Sequence, residues 1–193
     1  VDLYLNEWAL NEEAKTKKET YVLLARMFPR NYFYAMKAGD YYLNSGNTLS
    51  AVEAYERAIL NGADILTILT SLQSCYRSLG EFNKIVDLYT MAITASPGTG
   101  WIYLDFTSFL LNNTGELGPA EVEDSANMIF DIQSRVYDFD ERYIFYTVFS
   151  SFCKKIEAWQ LRKRMLEEAL LFDPESQSFK EDYEETLRKL RDH

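Results

Sequence analysis

Catalysis near neutral pH starts from a proton carrier, an activated nucleophile or a bound metal, and each leaves a signature in residue type and spacing. The one histidine of the 193 residues is His193, the last, so neither serine nor cysteine chemistry has an imidazole base held by a folded segment. Cys75 and Cys153 lack the short pairwise spacing of a metal site or a disulfide framework, and each reads as a small buried apolar group. The stretch SPGTGW, Ser96 to Trp101, sets two glycines ahead of a helix, the outline of a phosphate cradle. It lacks the lysine and the spacing of a P-loop and reads as a turn. In YDFDER the acids Asp138, Asp140 and Glu141 are followed by Arg142, which breaks the calcium-loop pattern. Asn112, Asn113 and Thr114 have the letters of a glycosylation acceptor but fall at the end of an expected helix. No enzyme, cofactor or metal is expected from this set.

The remaining question is what scaffold these residues sit on. Nearly half the chain is hydrophobic, with 14 Tyr, 12 Phe and only 4 Pro, too apolar and aromatic for disorder. Thirty acidic residues against twenty basic give a net charge of −10, a field that repels nucleic acid and anionic headgroups. No run approaches the roughly 20 apolar residues that span a bilayer, so no direct membrane insertion is expected.

Organisation comes from self-similarity at a period of 34. Tyr42 matches Tyr76, Gly46 matches Gly80, Tyr55 matches Tyr89, Ala58 matches Ala92 and Ile59 matches Ile93. At the same offset Tyr21 precedes Tyr55 and Trp8 precedes Tyr42, while Pro29 and Pro97 lie two periods apart. Within each unit apolar residues recur three and four apart, as in Ala51, Tyr55, Ala58 and Ile59, so each unit is expected to be two helices. Glycine sits where the first helix must stop.

Gly39, Tyr42, Gly46, Ala51, Tyr55 and Ala58, then Leu69, Leu72, Tyr76, Gly80, Tyr89, Ala92 and Pro97, resemble the tetratricopeptide repeat pattern. The resemblance is strongest over 32–100. It implies an all-α fold: a right-handed α-solenoid of stacked antiparallel helix pairs in one domain over 1–193, with repeats near 1–31, 32–65, 66–100, 101–140 and 141–174. The first unit has Glu12 in place of the glycine. The 101–140 unit, with Gly115, is expected to carry an insertion near 116–124 that projects from one edge. The 141–174 unit lacks the glycine and has Arg162 where alanine is expected, and it also resembles the looser half-a-TPR variant. Phe179, Tyr183, Leu187 and Leu190 share one face of an expected capping helix, 176–191.

In the family the first helix of each unit lines a concave groove that receives a peptide or helix of a partner. Carried over by repeat position, that face is Phe33, Met36, Asp40, Leu43 and Asn44, then Thr67, Thr70, Ser74, Arg77 and Ser78. The later units add Ile102, Asp105, Phe109, Asn112 and Asn113, then Ile144, Thr147, Ser151, Lys154 and Lys155. Two acids, Asp40 and Asp105, against three bases, Arg77, Lys154 and Lys155, leave this face at +1, so a neutral or mildly acidic protein partner is expected and nucleic acid is not. Asn44 and Asn113 could bond to an extended chain, with Phe33, Met36 and Phe109 as apolar anchors. Met36 and Asp40 stand where the family's carboxylate-gripping members need lysine and asparagine, so no such clamp is expected. The functional expectation is a non-catalytic protein-interaction scaffold. The alternatives are an accessory, substrate-presenting domain of a larger enzyme or membrane-associated assembly protein, prompted by the start at Val1, and a homo-oligomer built through aromatic repeat ends.

Overall fold

A computed structural model of the chain describes residues 14–132 and 139–192. Trp8, Glu12, Asp138 and His193 lie outside the described residues, as does the side chain of Asp140. Among the described residues there are ten helices and no strand. They are α1 Ala14–Met27, α2 Tyr32–Asn44, α3 Thr48–Leu60, α4 Ile65–Leu79, α5 Phe82–Ala95, α6 Gly100–Asn112, α7 Pro119–Ile132, α8 Phe139–Lys155, α9 Trp159–Phe172 and α10 Gln177–Asp192.

Local chemistry fixes where these helices begin and end. Asn31, Asn47 and Asp64 each turn a side-chain oxygen onto the first free N–H groups of α2, α3 and α4, at 3.0 to 3.2 Å for Phe33, Leu66 and Ser50. Gly46 and Gly80, φ +73° in both, make the left-handed turn that stops α2 and α4. The fourth pair makes the corresponding turn without a glycine: Glu157, φ +57°, occupies that conformation between α8 and α9. Gly115 does not adopt a positive φ.

The chain divides into two compact units, Val1–Leu88 and Tyr89–His193, with the boundary inside α5. In the first unit α1 packs on α2, α2 on α3 and α3 on α4. Ala35, Ala38, Ala51, Ala54 and Ala58 are buried where the helices cross, and Tyr34 and Tyr55 fill the space between them. Gly39 is required at the closest approach, because a Cβ there would stand 2.6 Å from the Tyr55 ring.

In the second unit α6 packs on α7 and α8, α8 on α9, and α9 on α10. Its core is aromatic, with Tyr103, Phe106, Phe145, Phe149 and Phe152 fully buried and Tyr89 stacked on Phe106 at 4.8 Å. Residues 119–124 of the segment expected as an insertion form the start of α7. Pro119 opens α7, leaving a short connection in which Leu117 is buried, and Val122 of the first helical turns joins the core.

Arg162 is 1% exposed. Its Nε donates to Ser150 Oγ at 3.0 Å, and its two terminal nitrogens reach Asp182 Oδ1 and Glu185 Oε2, both at 2.9 Å. Ser150 in turn donates to Asp182, and Lys154 pairs with Glu185 at 2.6 Å. The residue that breaks the alanine pattern thus ties α8, α9 and α10 together, and three partners satisfy its buried guanidinium.

Candidate functional site

The first unit carries an open depression of about 540 Å³. Lys37, Asp40, Tyr41 and Asn44 of α2, spaced i, i+3, i+4 and i+7, form one wall together with Leu43. Tyr21 of α1, Tyr55 of α3 and Ser71 of α4 close it. Side-chain hydrogen bonds finish the wall at both ends: Asn31 caps the start of α2, while Asn44 Nδ2 donates to Asp40 O at 2.6 Å and Ser45 Oγ to Tyr41 O at 2.7 Å.

Charge in the depression is balanced. Lys37 Nζ sits 3.0 Å from Asp40 Oδ2, and the Tyr55 hydroxyl donates to Asp40 Oδ1 at 2.9 Å. Burial, and next the bond to Asp40, push the Tyr55 phenol well above its ordinary value of 10. The phenol stays protonated as a donor at neutral pH.

Of the residues expected to face a partner, Asp40, Leu43 and Asn44 line this depression. Phe33 packs on the small core beneath α1 and α2, edge-on to Tyr21 at 6.1 Å, and Met36 is half-buried. Thr67, Thr70, Ser74 and Arg77 are exposed along one face of α4, where Ser74 O accepts from Ser78. Lys37, Tyr41, Tyr21, Tyr55 and Ser71 were not among the expected site residues. The i, i+3, i+4, i+7 spacing from Lys37 to Asn44 is the signal that could have found two of them.

In the second unit Ile102 and Phe109 are buried, at 0% and 3% exposure, so Phe109 is not an anchor for a partner. The reason is composition: α6 is apolar almost all round, and most of it is covered, with only Trp101 and Asn112 left exposed. Asp105 accepts a hydrogen bond from the Tyr89 hydroxyl. Asn112 and Asn113 donate to Ser108 O and Phe109 O one turn back, so their amides close their own helix end. Thr147 is exposed and bonds to Tyr143 O, as Ser151 does to Thr147 O; Ile144 is exposed too. Lys154 belongs to the Arg162 network and Lys155 donates to Leu111 O.

No group of three or more His, Cys, Asp or Glu is placed to hold a metal among the described residues, and no helix among them is long and apolar enough to cross a membrane. Cys75 and Cys153 are buried, and burial raises both thiols above their ordinary range.

Neither protein-family models nor curated protein sequences match the chain. Solved structures do. A TPR repeats protein from Bacteroides fragilis NCTC 9343 superposes with a TM-score of 0.62 at 16% identity, over 95% of each chain. The fold is a tetratricopeptide-type helical repeat. A tetratricopeptide repeat protein from Parabacteroides merdae ATCC 43184 agrees, with a TM-score of 0.50 at 15% identity over 91% of this chain and 66% of its own. The tetratricopeptide pattern accounts for Gly39, Gly46, Gly80 and the buried alanines of α3, and Arg162 is its main departure.

Proposed function

We propose that the chain is a non-catalytic protein-interaction module, and that it binds a short peptide segment of another protein in the depression on α2. The observation that carries this reading is the convergence of Lys37, Asp40, Tyr41 and Asn44 with Tyr21, Tyr55 and Ser71 on one open cavity. Tyrosines supply flat contact area at low entropy cost, and the charge-balanced amide, carboxylate and ammonium groups suit a peptide backbone with neutral or mildly acidic side chains. The buried, protonated thiols are in keeping with a role without nucleophilic chemistry.

Selection of displayed peptides on the wild-type chain, followed by calorimetry, tests the reading. Tyr41→Ala with Asn44→Ala should weaken the selected peptides about thirtyfold, the scale of one interface hot spot of ~2 kcal/mol. Selected peptides that bind the double variant as tightly as wild type would end it.

A further inference from the structure

The capping helix α10 presents two different charged surfaces. Asp182 and Glu185 are committed to Arg162 and Lys154, on the side that meets α8 and α9. One turn further on, Arg188 and Arg191 are exposed, three residues apart, and neither has a carboxylate partner among the described residues. Each instead sets its Nε near a carbonyl of its own helix, Glu184 O at 3.4 Å and Leu187 O at 3.3 Å. That use of Nε leaves the two terminal nitrogens of each guanidinium as a fork for an incoming carboxylate.

Two adjoining depressions, of about 380 and 310 Å³, share Leu187 and Arg191. The larger lies between α9 and α10, with Leu187 and Leu190 beside Lys163 and Arg191; the smaller includes Arg188 and Glu184. The helix macrodipole favours bases in a last turn, but it accounts neither for leucines left half-buried beside them nor for the cleft. Lys163 is already paired with Glu167 at 3.5 Å, so the positive excess of this surface comes from Arg188 and Arg191 against Glu184, in a chain whose net charge is −10. An extended polyanion would meet the repulsion of the whole molecule, whereas a short segment feels mainly the charges within a Debye length.

We propose that the end of α10 and the adjoining face of α9 form a second docking surface, whose occupant is a short acidic peptide segment with carboxylates on either side of a leucine-like side chain. Its carboxylates meet the forks of Arg188 and Arg191, and its apolar side chain covers Leu187 and Leu190. This surface does not depend on the depression in the first unit.

The test is fluorescence anisotropy of the full chain with a labelled Glu-Leu-Glu-Glu-Leu-Leu-Glu peptide, the same peptide with lysine for glutamate, and a third with serine for leucine. The glutamate–leucine peptide should bind, the lysine peptide should not, and the serine peptide should bind more weakly. R188E/R191E should weaken the first peptide at least about tenfold, the scale of reversing close charge pairs. R188Q/R191Q should do so less, and it retains the test if charge reversal alters the circular dichroism melt. Tyr41→Ala should leave this binding unchanged, which separates the result from the fate of the first site. Equal binding to the arginine variants, no binding at about 1 mM peptide, or a preference of the same arginines for heparin or phosphatidylserine vesicles would overturn the proposal.

Discussion

The Tyr55 hydroxyl donates to Asp40 Oδ1 at 2.9 Å, and one repeat later Tyr89 donates to Asp105. Both acids expected to greet a partner are therefore also the acceptors for the tyrosines that fill the space between helices. Tyr55→Phe should lower stability by about 1–2 kcal/mol, the lower range for a hydrogen bond to a charged group, because Asp40 keeps its pair with Lys37. Urea unfolding of the variant beside wild type measures it.

Alkali should unfold the protein through its tyrosines. Burial comes first among the causes that raise Tyr55, Tyr76 and Tyr146 above 10, with hydrogen bonds to Asp40 and Glu56 adding to the first two. A folded pKa above the unfolded one means the native state holds more protons, so this stability is complete below pH 10 and drains away as pH rises beyond it. Melting temperatures from pH 8 to 11 should fall above 10, and less steeply in a Tyr55→Phe, Tyr76→Phe variant.

Arg162→Ala removes the guanidinium from Asp182 and Glu185, which keep only Ser150 and Lys154, and leaves Ser150 Oγ without its donor. Because the carboxylates are about one-third exposed, the expected loss is at the lower end of the roughly 3–5 kcal/mol for breaking a buried pair. The same network sets an acid limit. The bonds from Lys154 and Arg162 hold the Glu185 carboxyl below its ordinary value, so its contribution is present above about pH 4.5 and is lost as pH falls through the folded pKa. Hydrogen exchange in α10 should rise in acid before exchange in α3 does.

Gly39→Ala should destabilise by about 1–3 kcal/mol, since the new methyl meets the fully buried ring of Tyr55. A thermal melt suffices.

Glu157→Gly should do the opposite. Relief of the left-handed conformation is worth about 1–2 kcal/mol, less roughly 0.5–1 for the greater freedom of glycine in the unfolded chain, a net gain near 0.5–1 kcal/mol. A melting temperature that fails to rise would contradict it.

The helical pairs were legible because a period of 34 repeats the same contacts: Tyr55 and Tyr89 fill equivalent space, and Gly46 and Gly80 make equivalent turns. Arg162 was legible as an anomaly, but its partners Asp182 and Glu185 lie in another helix, and no spacing rule joins them. Repeat position sent Ile102 and Phe109 to the binding face because register alone ignores how apolar the rest of α6 is. Tyr41 and Lys37 went unnoticed because the carried-over inner positions on α2 pass between them, although helical spacing from Asn44 reaches both.

The Arg162 network also bears on modularity. A repeat array whose interfaces are purely apolar can be trimmed or recombined at any joint, each cut leaving a greasy but uncharged face. Here, deleting 177–192 would remove both carboxylates and leave a guanidinium, 1% exposed in the intact fold, to find water or drag α9 open. The last helix therefore works as a keyed lid: a generic capping helix grafted in its place would need two acids at the positions of Asp182 and Glu185 before it could seat.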